Sequence, residues 1–258
     1  MSSMFAGKVI LISGATGGFG EVAAASLAKA GAYLVLTDLD KDRLNRIAAS
    51  LDTECLLLPG DITDPDLAKA CVALAVERFG RIDGAFNNAG IEHKLARQPE
   101  IDQATFDKII SVNLLGVHYA MQAQVPAFYA RFKETGETGS ILNTASIAGV
   151  AGAPKLGVYA AAKHGVVGLS RSVALEYAGR GVRVNTLCPC FFKTRMVVEG
   201  ILQDFDSIED GLKVLATGIP MGRIGEPEEI IPAVHFALSP ENSFFTGQEI
   251  RLDGGLTT

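Results

Sequence analysis

The sequence predicts an α/β fold: one doubly wound domain over residues 1–258, with a parallel sheet of about seven strands and helices on both faces. Three observations predict it. Short apolar runs of strand length alternate with helical patterns along the whole chain, as a sheet covered on both faces requires. The first run enters a glycine-rich turn that opens a helix, which is half of a βαβ unit. No linker, repeat or low-complexity tract divides the 258 residues, and about 250 residues is the upper end for a single core.

The first strand is the apolar run 8–12, and its turn is Ser13-Gly14-Ala15-Thr16-Gly17-Gly18-Phe19-Gly20. An Ala-rich helix over 21–30 stops at Gly31. Residues 33–37 give a second strand that ends on Asp38, and a charged helix follows over 41–51. The alternation repeats: a strand at 55–58, the turn Asp61-Ile62, a helix over 65–79, a strand at 82–86 and the turn Asn87-Asn88-Ala89-Gly90. After a looser stretch, a long helical pattern covers 105–131, and Pro126 is expected to kink it because proline removes a ladder donor. The strand 140–144 leads to Ser146, a small-residue loop spans 149–157, and the helix carrying Tyr159 runs to about residue 179. A strand at 182–187, the aperiodic stretch 191–221, a helix over 227–238 and a strand at 249–252 complete the chain.

Composition narrows the function. Hydrophobic residues are 48% and charged residues 20%, the profile of a soluble α/β enzyme. The net charge of −6 argues against nucleic acid or an anionic membrane as partner. No apolar run has the length of a membrane span, and Met1 to Phe5 lacks the basic and apolar regions of a signal peptide, so a cytoplasmic protein is expected. Cys55, Cys71, Cys188 and Cys190 form no disulfide framework and read as reduced thiols. No His or further Cys near Cys188 and Cys190 completes a metal site, so no metal is expected.

Chemistry concentrates in two motifs. In the first, glycines at a helix N-terminus let a pyrophosphate approach the unpaired N–H groups and the positive end of the helix dipole. Gly18-Phe19-Gly20 occupies that position, and Asp38 stands eighteen residues after Gly20 at the end of the second strand. A carboxylate there accepts both ribose hydroxyls of NAD and repels a 2′-phosphate. Neither Ala15 nor Leu39 is basic, so NAD(H) is expected over NADP(H).

The second motif is Tyr159-Ala160-Ala161-Ala162-Lys163, with Ser146 thirteen residues upstream. Helical positions i and i+4 share a face, and a cation beside a phenol favours the phenolate and lowers its pKa. Tyr129 and Lys133 repeat the spacing by chance, but Gly116 stands where Ser146 would correspond and no strand-like run precedes them. His118, His164 and His235 read as packing residues, and so does His93, with a place at the substrate entrance as its alternative because it follows the Asn-Asn-Ala-Gly turn.

These motifs, in this order, resemble the short-chain dehydrogenase/reductase family, and the resemblance extends from Lys8 to Gly255. It implies a Rossmann-type domain and the catalytic tetrad Asn113, Ser146, Tyr159 and Lys163. It also implies cofactor contacts from Gly14, Gly18, Phe19 and Gly20, from Asp38, Asp61 and Ile62, and from Asn87, Ala89 and Gly90. Tyr159, Lys163, Pro189, Phe192 and Thr194 complete the implied set. In the family Ser146 polarises the substrate oxygen, Tyr159 exchanges its proton, Lys163 binds the nicotinamide ribose and Asn113 anchors a water. One position departs from the pattern: Cys190 follows Pro189 where the family has glycine.

The expected function is hydride transfer between NAD(H) and a largely apolar secondary alcohol or ketone. The apolar residues Phe191, Phe192, Met196, Val197 and Val198 mark 191–221 as a lid over the substrate. Two alternatives stand beside it: a 3-oxoacyl-thioester reductase of the same family, and a dinucleotide sensor without turnover. The family implies a homotetramer.

Overall fold

Residues 4–258 are described by a computed structural model. Strands β1 (Val9–Ser13), β2 (Tyr33–Thr37), β3 (Cys55–Leu57), β4 (Gly84–Asn87), β5 (Gly139–Thr144), β6 (Val182–Pro189) and β7 (Glu249–Leu252) form one sheet. Its order is β3-β2-β1-β4-β5-β6-β7 and every pairing is parallel. Parallel neighbours need crossover helices, and these cover both faces. Helices α1 (Gly18–Lys29) and α2 (Lys41–Ala49) bury Ala23, Leu27, Leu44 and Ile47 on one face. On the opposite face, α3 (Pro65–Phe79) brings Val72 and Ala75.

Because side chains alternate along a strand, Ile10, Ile12, Leu34, Leu36 and Phe86 serve the first face, while Val9, Leu11, Val35 and Ala85 serve the second. Local signals start and stop the helices. Asp40 and Asp64 accept N–H bonds from Arg43 and Asp66 at the N-caps of α2 and α3, and Gly80 ends α3 in the left-handed conformation.

The long helical pattern after β4 is two helices, α4 (Gln103–Ile110) and α5 (Gly116–Thr135). A π-turn over Ser111–Leu115 joins them, in which the Gly116 N–H reaches back to Ser111 O. The break between the helices falls at 111–115, and α5 continues as one helix across Pro126. Helix α6 (Gly157–Tyr177) follows β5, and α5 and α6 complete the second face with Val117, Met121, Val125, Phe128, Val166 and Val167.

The stretch 191–221, aperiodic in sequence, contains α7 (Arg195–Glu199), a turn at Ile201–Asp204 and α8 (Ile208–Thr217). Each is too short to repeat a clear period. Helix α9 (Ile231–Leu238) returns to the first face with Val234 and Ala237, shortly before β7.

The core under β4 and β5 is polar. Asn87 Nδ2 donates to Gln124 Oε1 at 2.9 Å and to Asn143 Oδ1 at 2.8 Å, and Gln124 Nε2 returns a bond to Asn87 Oδ1 at 2.8 Å. Asn143 Nδ2 donates to Ser170 Oγ at 2.9 Å, which ties α6 to the sheet. Such a closed network is costly to break, because each orphaned amide keeps its desolvation penalty. Asn143→Ala is expected to lower the unfolding free energy by about 2–3 kcal/mol. Urea unfolding checks this, and a loss below about 0.5 kcal/mol would show that the cluster relaxes around the gap.

Candidate active site

Strand order reverses at β1, whose neighbours β2 and β4 lead away in opposite directions, so a crevice opens above the carboxyl ends of β1 and β4. Ser13, Thr37, Asn87, Thr144 and Pro189 mark that edge of the sheet. The glycine turn is built to close tolerances. Gly14 adopts φ +65°, and a Cβ there would stand 2.6 Å from Ala89 Cα. A Cβ on Gly20 would collide with the Gly14 carbonyl, so α1 packs directly on the turn. Gly17 at the N-cap offers no side chain, which leaves the first N–H groups of α1 without a side-chain acceptor.

Around this turn, Asn88 Nδ2 donates to Gly14 O at 3.1 Å, and Ser13 Oγ accepts from the Asn88 and Ala89 N–H groups at 3.2 and 3.4 Å. Asp38 Oδ2 accepts from the Thr16 N–H at 2.9 Å, which holds the carboxylate beside the turn. Asp61 Oδ1 accepts from the Thr63 N–H, and Ile62 packs on Gly116, where a Cβ would be 2.6 Å from its Cδ1. A recess lined by Ile62, Leu67, Ala89 and Val117 runs beneath this end of the crevice.

On the other side, Phe192 stacks edge-to-face on Phe19 at 5.2 Å and pairs with Gly225. Gly18 faces Thr194, whose Cγ2 would be 3.0 Å from an added Cβ. Uncapped helix N–H groups, close glycines and a strand-end carboxylate fit a dinucleotide. The exception is Asn87. It has the strand parity of Ala85 and turns its side chain into the buried amide cluster, which leaves its main chain to make the expected cofactor contact.

The tetrad converges from three elements. Lys163 is 2% exposed and its Nζ donates to the Thr144 carbonyl at 2.8 Å, with the Tyr159 ring centroid 5.6 Å away. Gly90 leaves room for it, since a Cβ there would lie 2.7 Å from Asn113 Oδ1 and 3.3 Å from Lys163 Nζ. Asn113, within the π-turn, donates to the Ile91 and Ile109 carbonyls at 2.8 and 3.1 Å and accepts from the Ile91 N–H. Ser146 Oγ accepts from the Ala148 N–H at 3.1 Å and faces the Pro189 carbonyl at 3.5 Å. Ser146 is close enough to the Tyr159 hydroxyl to favour its ionised form.

Burial pushes the Tyr159 phenol up to about 12, Ser146 acts against the rise, and the charges of Glu92 and Cys188 add to it. Burial pushes Lys163 down to about 8. Desolvation is the largest influence on both groups and drives each toward its neutral form. A neutral phenol next to a serine hydroxyl is equipped to give a proton to a carbonyl oxygen.

Cys190 is half-buried, with Sγ 3.8 Å from the Phe191 carbonyl, and burial raises its pKa. Its backbone does not need the left-handed region, where Lys155 is the non-glycine residue among those described. The departure from glycine thus carries no strain. Tyr129 lies near the far end of α5, with Lys133 over its ring at 4.8 Å and Tyr177 packed at its edge, apart from these groups. Sequence reasoning missed Asn88, Cys188 and Glu92. Among the described residues no His, Cys, Asp and Glu cluster could hold a metal ion, and no helix is long and apolar enough to cross a membrane.

A family model described as "Enoyl-(Acyl carrier protein) reductase", of the short-chain dehydrogenase/reductase type, matches residues 14–257. The chain is 37% identical to cyclohexanol dehydrogenase of Acinetobacter sp. (strain SE19) over 261 residues, which covers 100% of this chain and 98% of the relative. A crystal structure of levodione reductase superposes with a TM-score of 0.92 at 36% identity, covering 97% of this chain and 98% of that one. The 3-ketoacyl-(acyl-carrier-protein) reductase of Brucella melitensis, solved in complex with NADH, gives 0.89 at 34% identity, covering 98% and 99%. With the glycine turn, the serine–tyrosine pair and the buried lysine set on this sheet, the chain belongs to the short-chain dehydrogenase/reductase family.

Proposed function

We propose that the protein is an NAD(H)-dependent oxidoreductase that interconverts a largely apolar secondary alcohol and its ketone. The observation that carries the reading is the convergence of Ser146, Tyr159 and the buried Lys163 at the edge of the sheet where the glycine turn opens. A dinucleotide bound there supplies the hydride acceptor or donor. Gly14, Gly18, Phe19 and Gly20 would hold its phosphates, and Asp38 the adenosine ribose. Asp61, Ile62, Ala89 and Gly90 would flank the adenine half, and Pro189, Phe192 and Thr194 the nicotinamide half. Ser146 orients the substrate oxygen by donating a hydrogen bond, and Tyr159 gives or takes the proton on that oxygen. Lys163 lies between Thr144 O and the phenol, placed to bind the nicotinamide ribose, and Asn113 shapes the backbone at Ile91 behind it.

The stretch 191–221 serves as a lid, and its buried Val197, Ile201 and Leu202 favour an apolar substrate. The names of the cyclohexanol and levodione relatives point to cyclic ketones as the first compounds to test. The Brucella relative and the description of the family model favour a second reading, reduction of a 3-oxoacyl thioester. A panel of cyclic ketones against acyl thioesters separates the two. A sensor without turnover has no need of the full tetrad. Four unpaired thiols and a net charge of −6 suit a cytoplasmic enzyme without nucleic-acid partners.

Tyr159→Phe is expected to remove turnover while NADH binding stays near the wild-type value. More than a few per cent of the wild-type kcat, about 2 kcal/mol of barrier, would exclude Tyr159 as the proton carrier. Tyr129→Phe is the control and should change little. For the cofactor, kcat/KM with NADH should exceed that with NADPH, and Asp38→Ala should narrow the ratio. Equal efficiency in the wild type would defeat the NAD(H) assignment. We also infer a homotetramer, in which α5 and α6 pack across one two-fold axis and α9 with β7 across another. Light scattering at micromolar concentration should give four times the chain mass, and a monomer would contradict it.

A further inference from the structure

Three features meet at Glu92, a residue that no motif singles out. Its Oε1 sits against Gly200, where an added Cβ would collide both with that oxygen and with the Met196 carbonyl. The carboxyl is half-buried, and burial pushes it up to about 7 although the Ile201 N–H supports its charged form. Its charge also reaches Tyr159, where it disfavours the phenolate. One carboxyl thus touches the turn between α7 and 201–204 and acts through its charge on the phenol. Of the other titratable groups, Lys163 stands 5.6 Å from the Tyr159 ring centroid, Cys188 adds to the rise of the phenol, and His93, next to Glu92, turns its Nδ1 to the Lys94 carbonyl at 2.8 Å.

We propose that Glu92 is a positioning residue that docks the lid at Gly200 and Ile201 and couples lid closure to the proton held by Tyr159. The inference rests on the reading of Tyr159 as proton carrier and of 191–221 as lid. Above about pH 7, where the docked carboxyl is ionised, its negative charge acts on the phenol and favours the protonated form that carbonyl reduction uses. Glycine at 200 is what permits the contact, since any side chain would occupy the space of the carboxylate. Loss of the charge and loss of the docking therefore have separate consequences: the first changes when the phenol ionises, the second how well substrate is retained.

Three variants separate them. Glu92→Gln keeps the size and an acceptor oxygen, Glu92→Ala removes both, and Gly200→Ala attacks the same contact from the lid. The two Ala variants are expected to raise the KM of the ketone about tenfold with a smaller change in kcat. Glu92→Gln should hold KM within about twofold. It should also move the midpoint of the alcohol-oxidation pH profile to lower pH by about half a unit or more, because a neighbouring anion has gone. Tyr159→Phe, measured alongside, reports on the underlying reading: an active phenylalanine variant means that reading has failed. With Tyr159→Phe inactive, an unchanged KM in both Ala variants, or an unmoved midpoint in Glu92→Gln, overturns the proposal. If Glu92→Ala does not fold, Gly200→Ala and Glu92→Gln carry both arms.

Discussion

The Lys163 ammonium is held where water hardly reaches, with the Thr144 carbonyl 2.8 Å away as its protein acceptor. Burying a charge of that size costs several kcal/mol even after the protein relaxes, and the depressed pKa of about 8 expresses that cost. The surroundings are arranged to tolerate it. Strand β5 ends where its last carbonyl can meet the ammonium, and α6 begins where the lysine can reach back to it. Gly90 leaves the space a methyl group would take, and Gly149 lies against the backbone of Lys163 itself, where a Cβ would be 2.8 Å from its carbonyl oxygen. Asn113 holds the backbone at Ile91 from the other side. A shift in any of these elements would deprive the ammonium of its acceptor or of its space.

The same desolvation acts on the other groups nearby, raising Tyr159, Cys188 and Glu92 as it lowers Lys163. All are driven toward neutrality by one cause. In a setting of that kind a single added or removed charge is felt strongly, because little water is present to screen it. The packing around the glycine turn follows a related economy. Gly14 and Gly20 bring β1, α1 and the β4 turn to backbone contact, so the crevice is lined by main-chain groups whose positions no rotamer can change.

Much of this was legible in the sequence. Apolar runs of strand length and the glycine turn located the sheet and the start of α1, since β-branched residues favour strands and glycine permits the tight turn. Ser146, Tyr159 and Lys163 were legible as a set because an i, i+4 pair and a strand end fix their relative placement. Less legible was anything decided by partners distant in the chain. Asn87 could have been assigned by strand parity, which it shares with Ala85, but its amide partner Gln124 lies 37 residues away. The helices within 191–221 are too short for periodicity to show. The direction of the Tyr159 shift depends on how deeply the ring is buried, and spacing is silent about depth. Glu92 is a polar residue in a loop until the turn at Gly200 closes on it.

The π-turn at Ser111–Leu115 carries a consequence of another kind. One extra residue in a turn rotates everything after it by about 100°. Helix α5 therefore presents to the core a stripe offset from the one that α4 would have continued. Val117, Met121, Val125 and Phe128, spaced by four, four and three, are the stripe that results, and all are buried. The insertion that lifts Asn113 out of the ordinary ladder is thus the same one that aims these four side chains at the sheet. A single-residue deletion between 111 and 115 would realign the ladder and swing that stripe a quarter turn off the core. The placing of the amide at 113 and the packing of α5 are set by the same turn, so a substitution along α5 leaves its register intact where a deletion in the turn does not.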